Sequence, residues 1–392
     1  MVTAAQPLPR ATARPRRRPV PAVRHLGPNW YACVMGTAIT ATAGTALPLD
    51  VPGSRTVLVA VWALSLVMLL VLLGARGLHW RYHSDQARAG LLDPATAPFY
   101  GCLAMALLAV GGATLTLGRD WIGTAAAVAV DAVLFGAGTA VGLAAAVAVP
   151  YLMAARHRVG PEQAGPVWLL PVVAPMVSAA LGPLLVPYLP SGAARQTLLW
   201  ACVALFGLSL LATLLMLPMI FARLLTAGPL PLVLTPTLFL VLGPLGQSTT
   251  AVGRFADLAP GVVPAAEARG LGVLAVLYGV PVMGFALFWS VLAAAHVLRA
   301  RRRGMGFAMT WWAFTFPVGT CVTGAEALAR HTGLAVYGWL AAGLYAVLVA
   351  AWGTAAAGTV RGLLSGELLA APRPAPAAPR PATARTRSGA VR

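Results

Sequence analysis

The chain has 392 residues, of which 59% are hydrophobic and only 10% are charged. Soluble globular proteins contain roughly 25% charged residues, so this composition excludes an ordinary soluble domain and indicates an integral membrane protein. The formal net charge of +18 comes from arginines placed between apolar segments and in the tails. That placement indicates membrane topology and predicts no nucleic-acid partner.

Ten apolar stretches are long enough to cross a bilayer, because a hydrocarbon core of roughly 30 Å needs a helix of about 20 residues. The sequence therefore predicts an all-α integral membrane fold of ten transmembrane helices. The flanking segments, 1–26 and 361–392, are rich in Pro, Ala and Arg and are predicted to be disordered cytoplasmic tails. The ten spans are 27–47, 56–75, 97–117, 122–149, 166–188, 196–222, 230–252, 270–298, 304–329 and 333–360.

The arginines indicate which side of the bilayer each loop occupies. Ten spans place both termini on one side, and that side holds 22 of the 28 arginines. By the positive-inside rule this face is cytoplasmic, so we expect a multi-pass plasma-membrane protein with both termini in the cytoplasm. The six arginines on the opposite face are Arg55, Arg119, Arg195, Arg254, Arg269 and Arg330.

The spans repeat as pairs whose two members differ in composition. Odd-numbered spans begin at 27, 97, 166, 230 and 304, at intervals of 70, 69, 64 and 74 residues, which predicts five helical hairpins. They contain 11 prolines, whereas the even-numbered spans contain only Pro218 and Pro281. Proline frees backbone carbonyls that are tolerated at membrane depth only against protein or water. We therefore expect an inner ring of odd helices around a pathway and an outer ring of even helices.

Two segments are specific enough to suggest a family: GPNWYACVMGTA at 27–38 and TWWAFTFPVGT at 310–320. They resemble the tellurite-resistance/dicarboxylate transporter (TDT) family, which includes bacterial TehA, fungal malic acid permeases and plant slow-type anion channels. The segment LGPLGQ at 242–247 is similar to a third recurring segment of that family. The resemblance spans residues 27–360 and not the tails.

This resemblance implies five hairpins in a quasi-fivefold arrangement around a central pore, commonly assembled as a homotrimer. It also implies passive or proton-linked movement of anions, from small inorganic ions to C4-dicarboxylates such as malate, with tellurium oxyanions as another possible cargo. Phe316 matches the family position whose ring closes the pore, and packing against neighbouring helices is its alternative role. Phe314 is the second choice for the ring.

The expected pore lining follows the Gly, Pro and hydroxyl clusters of the odd spans. Because no span contains an Arg, we expect anion selectivity to come from amide and hydroxyl donors, from helix dipoles at the proline breaks and from positive potential at the cytoplasmic mouth. Neither a cofactor nor a metal site is predicted. The pore-lining candidates are Gly36, Thr37, Gly112, Gly182, Pro183, Gly243, Pro244, Gly246, Gln247, Pro317 and Thr320.

Two acidic residues lie within the spans, where a carboxylate is costly. Asp131, in span 4, is either a structural hydrogen-bonding group or a proton-coupling site, and its position on an even helix favours the structural role. Glu326 is predicted to pair with Arg330, one helical turn away. His79 and His83 are predicted to be solvated loop residues. An intramembrane enzyme would need more polar groups than Asp131 and Glu326 supply, so we expect no enzymatic activity.

Overall fold

The computed structural model describes residues 24–47, 52–157 and 159–369, and all regular structure in these ranges is helical. Long helices alternate along the chain with shorter ones that are interrupted by 3-10 or π turns. The α-helices are α1 (Tyr31–Ala46), α2 (Ser54–Tyr82), α3 (Ser84–Leu92), α4 (Gly101–Ala113), α5 (Arg119–Ile122), α6 (Thr124–Leu152), α7 (Leu169–Leu181), α8 (Ala193–Thr226), α9 (Leu242–Leu258), α10 (Ala265–Arg302), α11 (Phe316–Thr332) and α12 (Ala335–Leu364).

Eight helical segments in the described part of the chain are long and apolar enough to cross a membrane. Three of them, Ala97–Ile122, Pro166–Tyr188 and Leu232–Leu258, are 72–89% buried over their most apolar stretch. The other five contain α2, α6, α8, α10 and α12, and only 17–28% of the corresponding stretch is buried. Exposed apolar faces of this extent belong against lipid tails or a neighbouring subunit.

The predicted spans 27–47 and 304–329 are not among these eight segments. Helix α1 has 16 residues and α11 has 17, less than the roughly 20 that a single crossing helix needs. Each is extended at its N-terminal end by a 3-10 helix, Pro28–Trp30 or Met309–Phe314. Thr315 separates Met309–Phe314 from α11, and Pro317 stands in the first turn of α11, where a missing N–H is tolerated.

The buried segments contact one another in a closed cycle. Helix α1 packs on α4, α4 on α7, α7 on α9, α9 on α11, and α11 on α1. We call these five helices, with the 3-10 turns that precede them, the inner segments. Each long exposed helix packs against the inner segment before it in the chain and against the next inner segment of the cycle. We call α2, α6, α8, α10 and α12 the outer helices.

Each inner segment opens with a 3-10 helix before it becomes α-helical. Three of these 3-10 helices begin with a proline in their first turn, and the fourth has Pro236 inside it. Proline cannot donate the backbone hydrogen bond that a continuous α-helix requires, so a short 3-10 stretch replaces the missing turn. The five 3-10 helices are Pro28–Trp30, Ala97–Tyr100, Pro166–Trp168, Leu232–Val241 and Met309–Phe314.

A glycine with positive φ stands between the inner segment and the outer helix of every hairpin. Gly53, Gly123, Gly192, Gly261 and Gly333 have φ between 69° and 90°. Residues with a Cβ rarely adopt this conformation. These glycines therefore allow the chain to reverse sharply between the two helices of each hairpin.

The boundaries of the predicted tails differ from the structure at the C-terminal end. Helix α12 continues to Leu364 and a 3-10 helix follows at Glu367–Leu369, where Leu368 packs close to Gly362. Residues 361–364 and 367–369 are thus helical, and Leu368 and Leu369 contact the core. The remainder of both predicted tails, 1–23 and 370–392, lies outside the described residues.

Candidate functional site

A small apolar cavity lies where the five inner segments meet. Its volume is about 10 Å³, which is at the lower limit for holding one water molecule. All five inner segments contribute to its wall, and Phe316, which is buried, forms part of it. We call it the Phe316 cavity, and it is lined by Met35, Met105, Leu169, Leu170, Val173, Leu240, Gly243, Phe316 and Pro317.

A larger and more polar cavity, of about 210 Å³, lies toward the C-terminal ends of the same inner segments. We call it the Arg254 cavity. It combines two arginines with hydroxyl and amide side chains, and all five inner segments contribute again. Its lining residues are Ile39, Thr42, Thr45, Ala46, Gly112, Thr116, Leu181, Leu184, Gln247, Thr250, Arg254, Thr323 and Arg330.

The two cavities are stacked along the inner segments. On α1 their walls include Met35 and Ile39, and on α9 they include Gly243 and Gln247. Four residues correspond to about one helical turn, or roughly 5.4 Å. The small apolar cavity therefore lies about one helical turn from the larger polar cavity along the inner segments.

The structure places the pore-lining candidates in several different environments. Gly243 and Pro317 line the Phe316 cavity, and Gly112 and Gln247 line the Arg254 cavity. A second group, Gly36, Gly246 and Thr320, lies at contacts between inner segments. A Cβ at Gly36 would meet Thr315, a Cβ at Gly246 would meet Thr320, and the Thr320 hydroxyl lies 3.3 Å from the Leu242 carbonyl. Pro183 and Pro244 are buried but line neither cavity.

Thr37 and Gly182 line neither cavity and lie against the outer helices. The Thr37 hydroxyl accepts a hydrogen bond of 3.1 Å from the Trp352 indole of α12. A Cβ at Gly182 would meet Cys202 of α8 and Phe135 of α6. Both residues are small because the inner segments approach the outer helices closely there.

Arg254 is the residue of this site that the sequence analysis missed, since it was assigned to an external loop. Helix α9 continues to Leu258 and carries Arg254 on the same face as Gln247 and Thr250. Positions i, i+3 and i+7 share one side of a helix, and this spacing was the available signal. The Nη1 atom of Arg254 is buried without a hydrogen-bond partner among the described residues.

Arg330, the other arginine of this cavity, is neutralised by carboxylates. Its Nη2 lies 3.1 Å from Asp257 Oδ2 and its Nη1 lies 3.3 Å from Glu326 Oε1. The second distance confirms the pairing of Glu326 with Arg330. His331 Nε2 lies 3.1 Å from Asp257 Oδ1 and closes this group of charges.

The threonine hydroxyls of the Arg254 cavity already donate to their own helices. Thr42 donates to the Ala38 carbonyl, Thr45 to the Thr42 carbonyl and Thr116 to the Gly112 carbonyl. Such back-bonding satisfies a hydroxyl in a membrane helix. The hydroxyl donors expected to select anions are thus largely occupied within their helices, and the cavity's electrostatic attraction comes from arginine.

Asp131 lines neither cavity. It is buried on outer helix α6, and a Cβ at Gly111 of α4 would meet its Oδ1 atom. Its Oδ2 atom has no hydrogen-bond partner among the described residues. Gly112, the next residue of α4, lines the Arg254 cavity, and Asp131 and Arg254 attract each other electrostatically. The carboxyl group therefore lies behind the cavity wall.

His79 and His83 are buried, which corrects the prediction of solvated loop residues. Helix α2 continues to Tyr82, so both rings lie at a helix end, with their centroids 6.2 Å apart. Arg76 on the same helix donates a hydrogen bond of 2.6 Å to the Leu26 carbonyl and so helps to fix the segment that precedes α1. The described residues contain no cluster of His, Cys, Asp or Glu suited to bind a metal ion.

Comparison with known proteins places these features among transport proteins. A family model described as a voltage-dependent anion channel (SLAC1) matches residues 25–360. The chain is 24% identical over 355 residues to an uncharacterized transporter of Methanocaldococcus jannaschii, covering 88% of this chain and 96% of the other.

Sulfite efflux pumps of two fungi are also similar. The pump of Trichophyton rubrum is 25% identical over 330 residues, which cover 79% of this chain and 83% of the pump. The pump of Arthroderma otae is 25% identical over 341 residues, which cover 84% of this chain and 89% of the pump. These similarities extend over the helical bundle as a whole and are to transporters, not to enzymes.

Proposed function

The chain belongs to the voltage-dependent anion channel family, and from this membership we propose that it moves small anions along the axis of its five inner segments. Phe316 closes that path. The observation that supports the proposal most strongly is the stacking of the Phe316 cavity below the Arg254 cavity, with all five inner segments contributing to both walls. A gated anion path requires a narrow apolar constriction next to a wider, positively charged cavity. The Phe316 cavity and the Arg254 cavity have these properties.

The proposed membrane architecture has ten crossings as five hairpins in quasi-fivefold order. The cyclic contacts among α1, α4, α7, α9 and α11 support it, as do the recurring 3-10 starts and the turn glycines. The crossings made by α1 and α11 each include the preceding 3-10 helix. Both termini are proposed to be cytoplasmic, at the plasma membrane, and three such chains would pack through their outer helices.

Phe316 is proposed as the gate because its ring lines the Phe316 cavity, the narrow part of the proposed path. A constriction lined by apolar side chains excludes water and the ions that water solvates. Thr315 separates the 3-10 helix Met309–Phe314 from α11, and Phe316 is the first residue of α11. A small backbone rotation at Thr315 therefore moves the ring without unfolding α11. Phe314 lies elsewhere, in edge-to-face contact with Phe239 at 5.0 Å.

The cargo is proposed to be a small inorganic oxyanion. The similarity to sulfite efflux pumps favours this choice, and Arg254 supplies the positive potential of its cavity. C4-dicarboxylates such as malate, tellurium oxyanions and proton-coupled transport are the alternatives.

Flux measurements in liposomes test the proposal. The purified protein would be reconstituted, and sulfite, nitrate, chloride and malate uptake would be followed with and without a proton gradient. We expect flux of the inorganic anions that does not depend on the gradient. Flux of malate alone, or strict dependence on protons, would favour the alternatives, and no flux of any anion would contradict the proposal.

A further inference from the structure

Arg254 differs from the other arginine of its cavity in having no close counter-charge. No carboxylate lies within 4 Å of its guanidinium among the described residues, and its Nη1 atom is buried without a partner. Asp131 and Asp257 attract it from a longer distance, and Arg330 repels it. The positive charge of Arg254 is thus only partly compensated by the protein.

A buried cationic donor without a partner is costly, because hydrogen bonds of charged groups in water are lost and not replaced. Arg330 avoids this free-energy cost because it forms ion pairs with Asp257 and Glu326. Arg254 instead lines a cavity of about 210 Å³, which has room for several water molecules at about 30 Å³ each. An anion in this cavity would supply the missing counter-charge.

We propose that Arg254 is the anion-recognition residue of the Arg254 cavity and that it selects small oxyanions over halides. A guanidinium presents parallel N–H donors that match two oxygens of one anion. A spherical chloride ion cannot accept this fork with the same geometry. The proposal rests on the proposed function, since it assigns the binding step to a residue of the same path.

The test uses the full chain and nitrate as the oxyanion probe. Three variants are compared with the parent protein. Arg254→Gln removes the charge, and Arg254→Lys keeps the charge without the fork. Arg269→Gln is the control, because it removes one charge at an exposed position that lines neither cavity. One readout is nitrate flux in liposomes against nitrate concentration. The other is thermal stabilisation in detergent by nitrate, with gluconate used to keep ionic strength constant.

We expect Arg254→Gln to raise the KM for nitrate flux by about tenfold or more, the effect of losing one charge-assisted hydrogen bond. Nitrate stabilisation should be lost in the same variant. Arg254→Lys should retain chloride flux and lose the preference for nitrate over chloride. Arg269→Gln should keep a KM close to that of the parent protein, because Arg269 lines neither cavity.

The two readouts separate the inference from the proposed function. Stabilisation by nitrate that depends on Arg254, without any flux, would retain the inference and overturn the transport proposal. Flux in the parent protein with an unchanged KM and unchanged stabilisation in Arg254→Gln would overturn the inference alone. A parent protein with neither flux nor stabilisation would overturn both. If Arg254→Gln does not fold, the nitrate preference of Arg254→Lys decides, and an unchanged preference overturns the inference.

Discussion

The ring of Phe316 lines the Phe316 cavity, to which every inner segment contributes an apolar side chain. The substitution Phe316→Ala would widen the path at the Phe316 cavity and leave the surrounding inner segments in place. We expect anion flux per folded protein to rise by about tenfold or more, which corresponds to a barrier lowered by about 1.4 kcal/mol. Liposome flux or anion current, normalised to protein recovered after size exclusion, measures this.

Phe314→Ala is the matched control, because Phe314 packs on Phe239 and Trp311 and lines neither cavity. It should leave flux per folded protein near that of the parent. If Phe316 were only a packing residue, its truncation would cost roughly 3–5 kcal/mol of stability, and flux would fall. A well-folded Phe316→Ala variant with unchanged flux would exclude the gate.

Asp131 lies behind the wall of the path, so its titration should not control transport. Asp131→Asn keeps the shape of the side chain and removes its ionisation. We expect the variant to have the same anion flux as the parent protein, both with and without a proton gradient. Preserved flux with an altered response to protons would identify Asp131 as a coupling site.

At the level of single residues, the family motif predicted one part of the site, whereas the helical spacing that includes Arg254 was overlooked. The family motif located Phe316 and Pro317, and both line the closed cavity. Small residues such as Thr37 and Gly182 were ambiguous, because close packing against an outer helix needs them as much as a pore does. Arg254 was missed because the length of α9 beyond the apolar stretch is set by tertiary contacts and not by hydrophobicity.

The turn glycines are the features of the hairpins with the most direct consequence for stability. Gly123 has φ 82° and ψ 152° immediately before α6, a region of backbone conformation that is essentially restricted to glycine. Gly123→Ala should therefore destabilise the protein by about 1–3 kcal/mol. Thermal unfolding in detergent measures the change.

Gly136, in the exposed middle of the same helix, provides the control. A Cβ there would meet nothing within 4 Å, and replacing glycine by alanine inside a helix stabilises by about 0.5–1 kcal/mol. The two substitutions should thus shift the melting temperature in opposite directions. A Gly123→Ala variant as stable as Gly136→Ala would contradict the role of the turn.

The existence of the helices was predictable, but their lengths were not. Apolar composition predicted ten crossing segments, and eight helical segments of the described residues are long and apolar enough to cross a membrane. Prolines indicated where the inner segments would be irregular. Outer helices extend well past the apolar stretch, as α10 does with 38 residues, because arginine-rich turns remain helical once the bilayer ends. This extension is also what buries His79 and His83 at the end of α2.

The whole molecule should insert with its arginine-rich face in the cytoplasm. A reporter fused after Arg302 or at the C-terminus is expected to report a cytoplasmic location. A reporter inserted after Arg195, next to the turn at Gly192, should report an external location. The physical reason is the 22-to-six division of the arginines. A cytoplasmic signal at Arg195 would contradict the order of the crossings.

At this largest scale, the sequence predicted the family and the helical membrane fold, which the comparison over residues 25–360 and the structure confirm. The pairing of helices followed from the period and from the distribution of prolines. The two cavities did not follow, because their walls combine side chains from all five inner segments. Such a combination depends on helix rotation, which no local pattern determines.

The closed cycle of inner segments has a consequence for biosynthesis. The hydrogen bonds from Trp352 to Thr37 and from Tyr345 to Thr40 join residues 315 and 305 positions apart. At about 5–20 residues per second of synthesis, α1 waits roughly 15–60 s in the bilayer before α12 exists. During that interval the Thr37 hydroxyl is already bound to the Cys33 carbonyl of its own helix. The Thr37 hydroxyl of α1 therefore already has a hydrogen-bond partner before α12 is made. The indole of Trp352 donates its additional hydrogen bond only when α12 packs against α1 and closes the cycle of helices.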